Sequence, residues 1–466
     1  MSSKFSFFDI KRLPAGKIPL SVQRDLWLRK FMEPFIVMCL AYTGIYFLRY
    51  NFKAATPFII EQTSFTLSDL GTVGFGFSIT YSLGRVLLSY YIDGKNTKKI
   101  LSFLLMLSCA SSFAIGMFLL SSGHSLGIFI FLWALTGLFQ APGGPCSNST
   151  INRWTPRKNR GRFISWWNAS HNIGAILAGP IALFGMEYAF NGNVAGMFIF
   201  PILFAGVIAT FGMFFGKDDP SELGWNTPEE IFDEPISKDD TAAESMSKSE
   251  IFVKYVLKNP AVWFLCFANL CVYTIRIGVD NWSVAYVKMA LDWDDISAIG
   301  TITALELGGF LGSLTWGYVS DKMGGRRALL GMLCMISVIF PLIAYQNMSS
   351  VWGIYIALFF EGFFIFGPVI LIGISIIGFA PKCATAVVNS IPGFFGYLFG
   401  DGMAKVLVSR IADPTGKGIS VGGFTFHGWS DTFYLLFAAT AVGIVMLAVV
   451  AFYEERKIRR DRSIGH

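Results

Sequence analysis

Arg49 ends the apolar run from Phe35, and Arg276 ends a second such run, each three residues after a tyrosine, Tyr46 and Tyr273. Cys39, Ala41, Tyr46 and Arg49 recur as Cys266, Ala268, Tyr273 and Arg276 at a constant offset of 227, since 276 minus 49 is 227. An arginine deep in a membrane helix costs about 2.5–3.5 kcal/mol on insertion scales and is kept where it faces a pathway or meets a partner. The chemistry that suits a matched pair is phosphate binding. A guanidinium stays charged, offers a planar fork to two phosphate oxygens and is strongest where water is scarce. A single arginine of this kind reads equally well as snorkelling to an interface or pairing with a carboxylate. The repeated Tyr-x-x-Arg favours a site.

Other polar residues in apolar surroundings extend the candidate set. Arg85, within Gly84-Arg85-Val86, either lines the same cavity or reaches the interface near Asp93. His171 lies in Trp167-Asn168-Ala169-Ser170-His171-Asn172, a polar face that lipid would not tolerate. Its imidazole can donate to phosphate and titrates in the range of a phosphate ester's second ionisation, near about pH 6. Tyr46, Tyr273, Gln140, Asn168, Tyr397 and Asn389 are accessory binding candidates. Asp401 precedes Lys405 by four residues, so the two neutralise each other across one helical turn. Glu306 and Glu361 fit two roles, partners for an arginine in the empty state or proton carriers, and the sequence leaves both open. Gly308-Gly309, Gly143-Gly144 and the run from Gly393 to Gly400 read as close helix packing.

The elements that must position these groups are membrane helices. The chain has 466 residues, 53% hydrophobic and 15% charged, with a mean hydropathy of +0.55, which excludes an ordinary soluble domain. Windows long enough to span recur near 34–54, 71–92, 100–120, 126–148, 163–185 and 193–215, then near 259–281, 296–319, 328–346, 351–378, 384–410 and 430–453. An all-α polytopic fold of about twelve helices in two six-helix halves follows, residues 1–216 and 259–466, joined by an acidic, loop-like linker at 217–258. Basic residues gather after the second, fourth and eighth spans, whereas the opposite loops offer only Lys53, Lys288, Arg410 and Lys417, which places both termini in the cytoplasm. The net charge of +6 is spread between spans and forms no groove for nucleic acid. Seven cysteines lie in or beside apolar stretches, as buried reduced thiols do. The charged first 30 residues precede a run long enough to span, so no cleavable signal is expected.

A loop repeats with the halves. Asp93-Gly94-Lys95-Asn96-Thr97-Lys98-Lys99 follows the second span and Asp321-Lys322-Met323-Gly324-Gly325-Arg326-Arg327 the eighth, and 321 minus 93 is 228. It matches the signature loop of the major facilitator superfamily, whose halves rock around a central site. Asp93, Asp321 and Arg326 are candidates for a latch on one closed state; a capped turn obeying the positive-inside rule is the other reading. The pseudo-two-fold relating such halves would set the two arginines facing each other across a cavity.

The chain resembles, along nearly its whole length, the sugar-phosphate antiporters of the organophosphate:phosphate branch of that superfamily. The resemblance is carried by Gly76-Phe77-Ser78-Ile79-Thr80-Tyr81, Asp93-Gly94-Lys95-Asn96-Thr97-Lys98, Trp167-Asn168-Ala169-Ser170-His171-Asn172, Lys254-Tyr255-Val256-Leu257-Lys258-Asn259 and Glu454-Glu455-Arg456-Lys457-Ile458-Arg459-Arg460. It implies that Arg49 and Arg276 clamp the phosphate, that Arg85 stands where the family usually has lysine, that His171 lies by the site and that inorganic phosphate is the counter-substrate. Tyr50 departs from a common lysine, and Asn389 and Pro392 from an acid and a lysine. The expectation is a secondary active antiporter in the bacterial inner membrane. It would exchange external sugar phosphate, hexose 6-phosphate first, for internal phosphate, as a monomer with no cofactor or metal. Two facing cations left uncompensated in an empty site would enforce the exchange. A hexose-phosphate sensor and a glycerol 3-phosphate antiporter are the alternatives. An enzyme ranks behind both, because no metal-ligand cluster or activated nucleophile spacing is present.

Overall fold

A computed structural model describes residues 7–16, 18–92, 94–234, 253, 257–323, 326–377 and 391–464. Among these, ten helices are long and apolar enough to cross a membrane. The other two expected spans fall on a helix at Leu67–Ile92 and on residues 391–412, whose approach from 384 lies outside the described residues. Leu87, Val207, Phe340 and Trp352 are exposed on these helices, as lipid-facing side chains are. The chain is an all-α, multi-pass membrane protein.

The chain divides into two compact units, one of Met1–Thr63 with Ile79–Ile236, the other of Ser64–Ser78 with Ser237–His466. In the first unit, helix α1 (Leu20–Gln62) runs 43 residues, about 65 Å at 1.5 Å per residue, so it extends well past a hydrocarbon core of about 30 Å. It packs against α6 (Arg157–Phe184), α3 (Thr97–Leu120) and α7 (Ile202–Phe214). The expected span at 126–148 is two helices, α4 (Leu126–Gln140) and α5 (Gly143–Trp154), broken at Ala141-Pro142. The α1–α6 approach is close because Gly174 lacks a side chain: a Cβ there would lie 2.7 Å from the Thr43 carbonyl oxygen. Thr43 Oγ1 donates to the Ser170 carbonyl at 3.1 Å across the same contact. Lys53, expected in a loop, is within α1 and 4% exposed.

The first stretch of the acidic linker is docked, not solvated. Asp218 is fully buried and accepts from the Thr97 and Lys98 amides, each at 3.0 Å, from Thr150 Oγ1 at 2.6 Å and from Arg153 at 2.5 Å. One carboxylate thus satisfies open amides of the α3 N-terminus and a cation on α5. Arg24 holds the far end of this stretch through Asp233 at 2.9 Å. Linker composition hid this because a few buried residues carry the docking while their neighbours stay polar.

In the second unit, α8 (Pro260–Asp280) is capped by Asn259, whose side chain accepts from the Ala261 amide. It is followed by α9 (Ser283–Leu291), α10 (Asp295–Lys322), α11 (Arg327–Asn347) and α12 (Val351–Ile377). Next come a π-turn at Gly396–Asp401, α13 (Gly402–Ala412), a hairpin of β1 (Ile419–Val421) and β2 (Phe424–Phe426), and α14 (Trp429–Ile464). Gly422 and Gly423 take φ +58° and +86°, the left-handed pair that a two-residue hairpin turn requires. Helices α10 and α12 meet at Gly308 and Gly362, where added Cβ atoms would lie 1.9 and 2.1 Å from opposing carbonyl oxygens. Residues 64–78, the start of the Leu67–Ile92 helix (α2), belong with this unit. Ser68 N donates to Asp413 at 3.0 Å, and Ser78 Oγ donates to Asp401 at 2.9 Å. Lys405 Nζ lies 2.9 Å from Asp401, as the four-residue spacing implies.

Candidate functional site

On α1, Tyr42, Tyr46 and Tyr50 fall four residues apart and Arg49 three after Tyr46, so helical geometry brings them to one side. The Arg49 guanidinium carbon lies 4.9 Å from the Tyr46 ring centroid and 4.6 Å from that of Tyr81 on α2. Its Nε donates to Gln140 Oε1, at the end of α4, at 3.0 Å. Two aromatic faces and one amide thus set the plane of the cation. The Gln140 Nε2 is buried and, among the described residues, donates to nothing. His171 on α6 is 6% exposed, with its ring 5.2 Å from that of Tyr46 and 6.3 Å from that of Tyr42. Its Nδ1 bonds the Asn168 carbonyl, which orients the imidazole; Asn168 itself is half-buried. Trp167 lies 4.5 Å from the Tyr42 ring. Arg85 joins the group electrostatically, for both it and Arg49 act on Tyr42. The Tyr50 ring packs 5.2 Å from Tyr46 and takes Lys53 Nζ 3.0 Å from its centroid.

In the second unit, Arg276 on α8 is 8% exposed, with its guanidinium carbon 4.3 Å from the Phe366 ring and 5.9 Å from the Tyr273 ring. Tyr273 meets Tyr397 edge-on at 4.9 Å. Glycine allows this approach: at Gly400 a Cβ would lie 2.5 Å from the Leu270 carbonyl oxygen and 2.7 Å from the Tyr273 Cβ. Asn269 Nδ2 donates to the Pro392 carbonyl at 2.6 Å. Arg276 does not stand alone as a charge. Arg276, Asp280 and Glu306 all act electrostatically on Glu361, and the three acids are buried at 3%, 0% and 0% exposure. The expectation of an uncompensated cation in the empty site therefore does not hold for Arg276.

Residues 38–400 match the family model described as Major Facilitator Superfamily. The chain belongs to the major facilitator superfamily. It is 42% identical over 461 residues to the hexose-6-phosphate:phosphate antiporter of Salmonella typhimurium, covering 98% of each chain. It is 30% identical to the glycerol-3-phosphate transporter of Bacillus subtilis over 445 residues, 94% of this chain and 95% of that one. Among solved structures, a bacterial homologue of the human lysosomal transporter Spinster, inward-facing and occupied, aligns with a TM-score of 0.65 at 15% identity over 91% of this chain and 96% of that one. That last likeness shows the fold alone.

The superfamily's signature loops are only partly described. Asp93 and Asn389 lie outside the described residues, and so does the Asp321 side chain. Arg326 Nε bonds Glu455 on α14 at 2.9 Å, next to Glu454, which accepts from the Ala328 amide at 2.8 Å. Tyr42, Tyr81, Phe366 and Asp280 are the neighbours that reading the sequence missed. The four-residue spacing of Tyr42, Tyr46 and Tyr50 was a usable signal for the first. Tyr81 and Phe366 reach their arginines from other helices, and nothing local marks them.

Proposed function

We propose that this superfamily member is a secondary active antiporter that exchanges a sugar phosphate, hexose 6-phosphate first, for inorganic phosphate. It would act in the bacterial inner membrane with both termini cytoplasmic. The observation that carries the reading is the pair of repeated arginines, each deep in a membrane helix against aromatic rings, in a chain 42% identical over nearly its full length to a hexose-6-phosphate:phosphate antiporter. Arg49 and Arg276 both bind the phosphoryl group during the cycle, and Tyr46, Tyr273, Gln140 and His171 orient it. The buried Gln140 Nε2 supplies one more donor. Arg85 adds long-range attraction.

Purified protein in liposomes loaded with labelled phosphate tests this. External glucose 6-phosphate should release the label, and an empty exterior should not. Binding without exchange would make the protein a sensor. Preference for glycerol 3-phosphate would favour the second reading, which the 30% identity to a glycerol-3-phosphate transporter supports.

A further inference from the structure

Glu361 is fully buried at mid-helix in α12, and among the described residues neither of its carboxyl oxygens has a hydrogen-bond partner. Helix α10 closes over it, with Gly362 against the Leu305 carbonyl. The groups that face it come from every packed neighbour: Arg276 and Asp280 on α8, Glu306 on α10 and Tyr345 on α11. Three buried acids, Asp280, Glu306 and Glu361, thus share the surroundings of one cation. An ionised Glu361 would add negative charge where, among the described residues, no donor meets its lone pairs. As a neutral acid the same side chain fits. Tyr345 supplies no competing charge near neutral pH, since tyrosines ordinarily ionise near about pH 10.

We propose that Glu361 is a proton-binding site coupled to anion occupancy at Arg276. The inference rests on the proposed function, because it takes Arg276 to bind phosphate. An anion on Arg276 makes the surroundings of Glu361 more negative and tightens its hold on the proton; when the anion leaves, the hold slackens. Reciprocity then requires that the proton tighten anion binding by the same factor. The exchanger thus takes up a proton as it takes up phosphate.

The test uses purified full-length protein and inorganic phosphate as the probe. Phosphate affinity and net proton uptake on binding are measured from about pH 6 to about pH 8.5, the range that spans phosphate's own ionisation and ordinary histidine titration. Those background titrations are common to native protein and Glu361→Gln, so the difference between the two isolates Glu361. Native affinity should fall with rising pH by roughly fivefold or more beyond the fall in Glu361→Gln. Native protein should also take up more protons per phosphate bound. Glu361→Met, neutral and of similar size, should behave as Gln does, and carries the comparison should the Gln variant not fold. Glu361→Asp, which keeps a titrating carboxyl, should restore the native profile. Superimposable profiles and equal proton counts in native and neutral variants overturn the proposal while leaving the antiporter reading intact. Absence of phosphate binding by native protein at every pH removes both.

Discussion

Replacing Arg49 with lysine keeps a positive charge on α1 and removes the geometry. In the native protein the guanidinium is fixed by Gln140 Oε1 at 3.0 Å and by rings centred 4.6 and 4.9 Å away, and the proposed clamp would use that plane for a bidentate phosphate. An ammonium retains the point-charge attraction, on the order of 4 kcal/mol at 4 Å in an intermediate dielectric, and loses one charge-assisted hydrogen bond of about 1.5–3 kcal/mol. At tenfold per 1.4 kcal/mol, phosphate affinity should fall roughly 10- to 150-fold. Phosphate self-exchange in liposomes, measured as a concentration series with insertion checked separately, reads this directly. At native working concentrations exchange should be lost. Gln140→Leu supplies a cross-check: it should weaken phosphate binding in both backgrounds through the lost Nε2 donor, and more in the native one, where it also frees the guanidinium plane. An apparent affinity for Arg49→Lys within about twofold of native would refute the role assigned to the fork.

Asp218→Asn should cost about 3–5 kcal/mol, because it leaves Arg153 beside a neutral amide at a buried contact; an unchanged thermal midpoint in detergent would contradict the docking described for the linker. Burial pushes the Asp413 carboxyl up, but hydrogen bonds from Ser68 and Thr415 outweigh it and hold it at about 2, below the ordinary 3.8. A depressed value means this stabilisation is fully present above pH 3.8 and is lost as pH falls toward 2. Asp413→Asn should be less stable at neutral pH and converge on native protein in acid; parallel curves would contradict it. Pro392→Lys should shift preference from glucose 6-phosphate toward phosphoenolpyruvate, since it adds a cation that favours an additional carboxylate. Competition against labelled phosphate uptake checks this, and an unchanged ratio in a protein that still transports sinks it.

The sequence by itself determined the membrane class, the placement of ten of the spans and the two arginines. Each of these is local: about twenty apolar residues make a span regardless of what surrounds it, and a 227-residue repeat of Tyr-x-x-Arg is visible without a fold. The pairing of Asp401 with Lys405 was legible for the same reason, as four residues along a helix are always one turn apart. What only the tertiary structure decided is which groups surround each cation. Tyr81 and Gln140 reach Arg49 from α2 and α4, and Phe366 reaches Arg276 from α12. Asp280, Glu306 and Glu361 become one electrostatic group only because α8, α10 and α12 pack together. Asp218, a plain linker acid in the sequence, becomes a buried staple because its five donors converge from α3 and α5. Side-chain charge is written in the chain, but its energy depends on desolvation and on neighbours tens to hundreds of residues away, and those are fixed by helix packing.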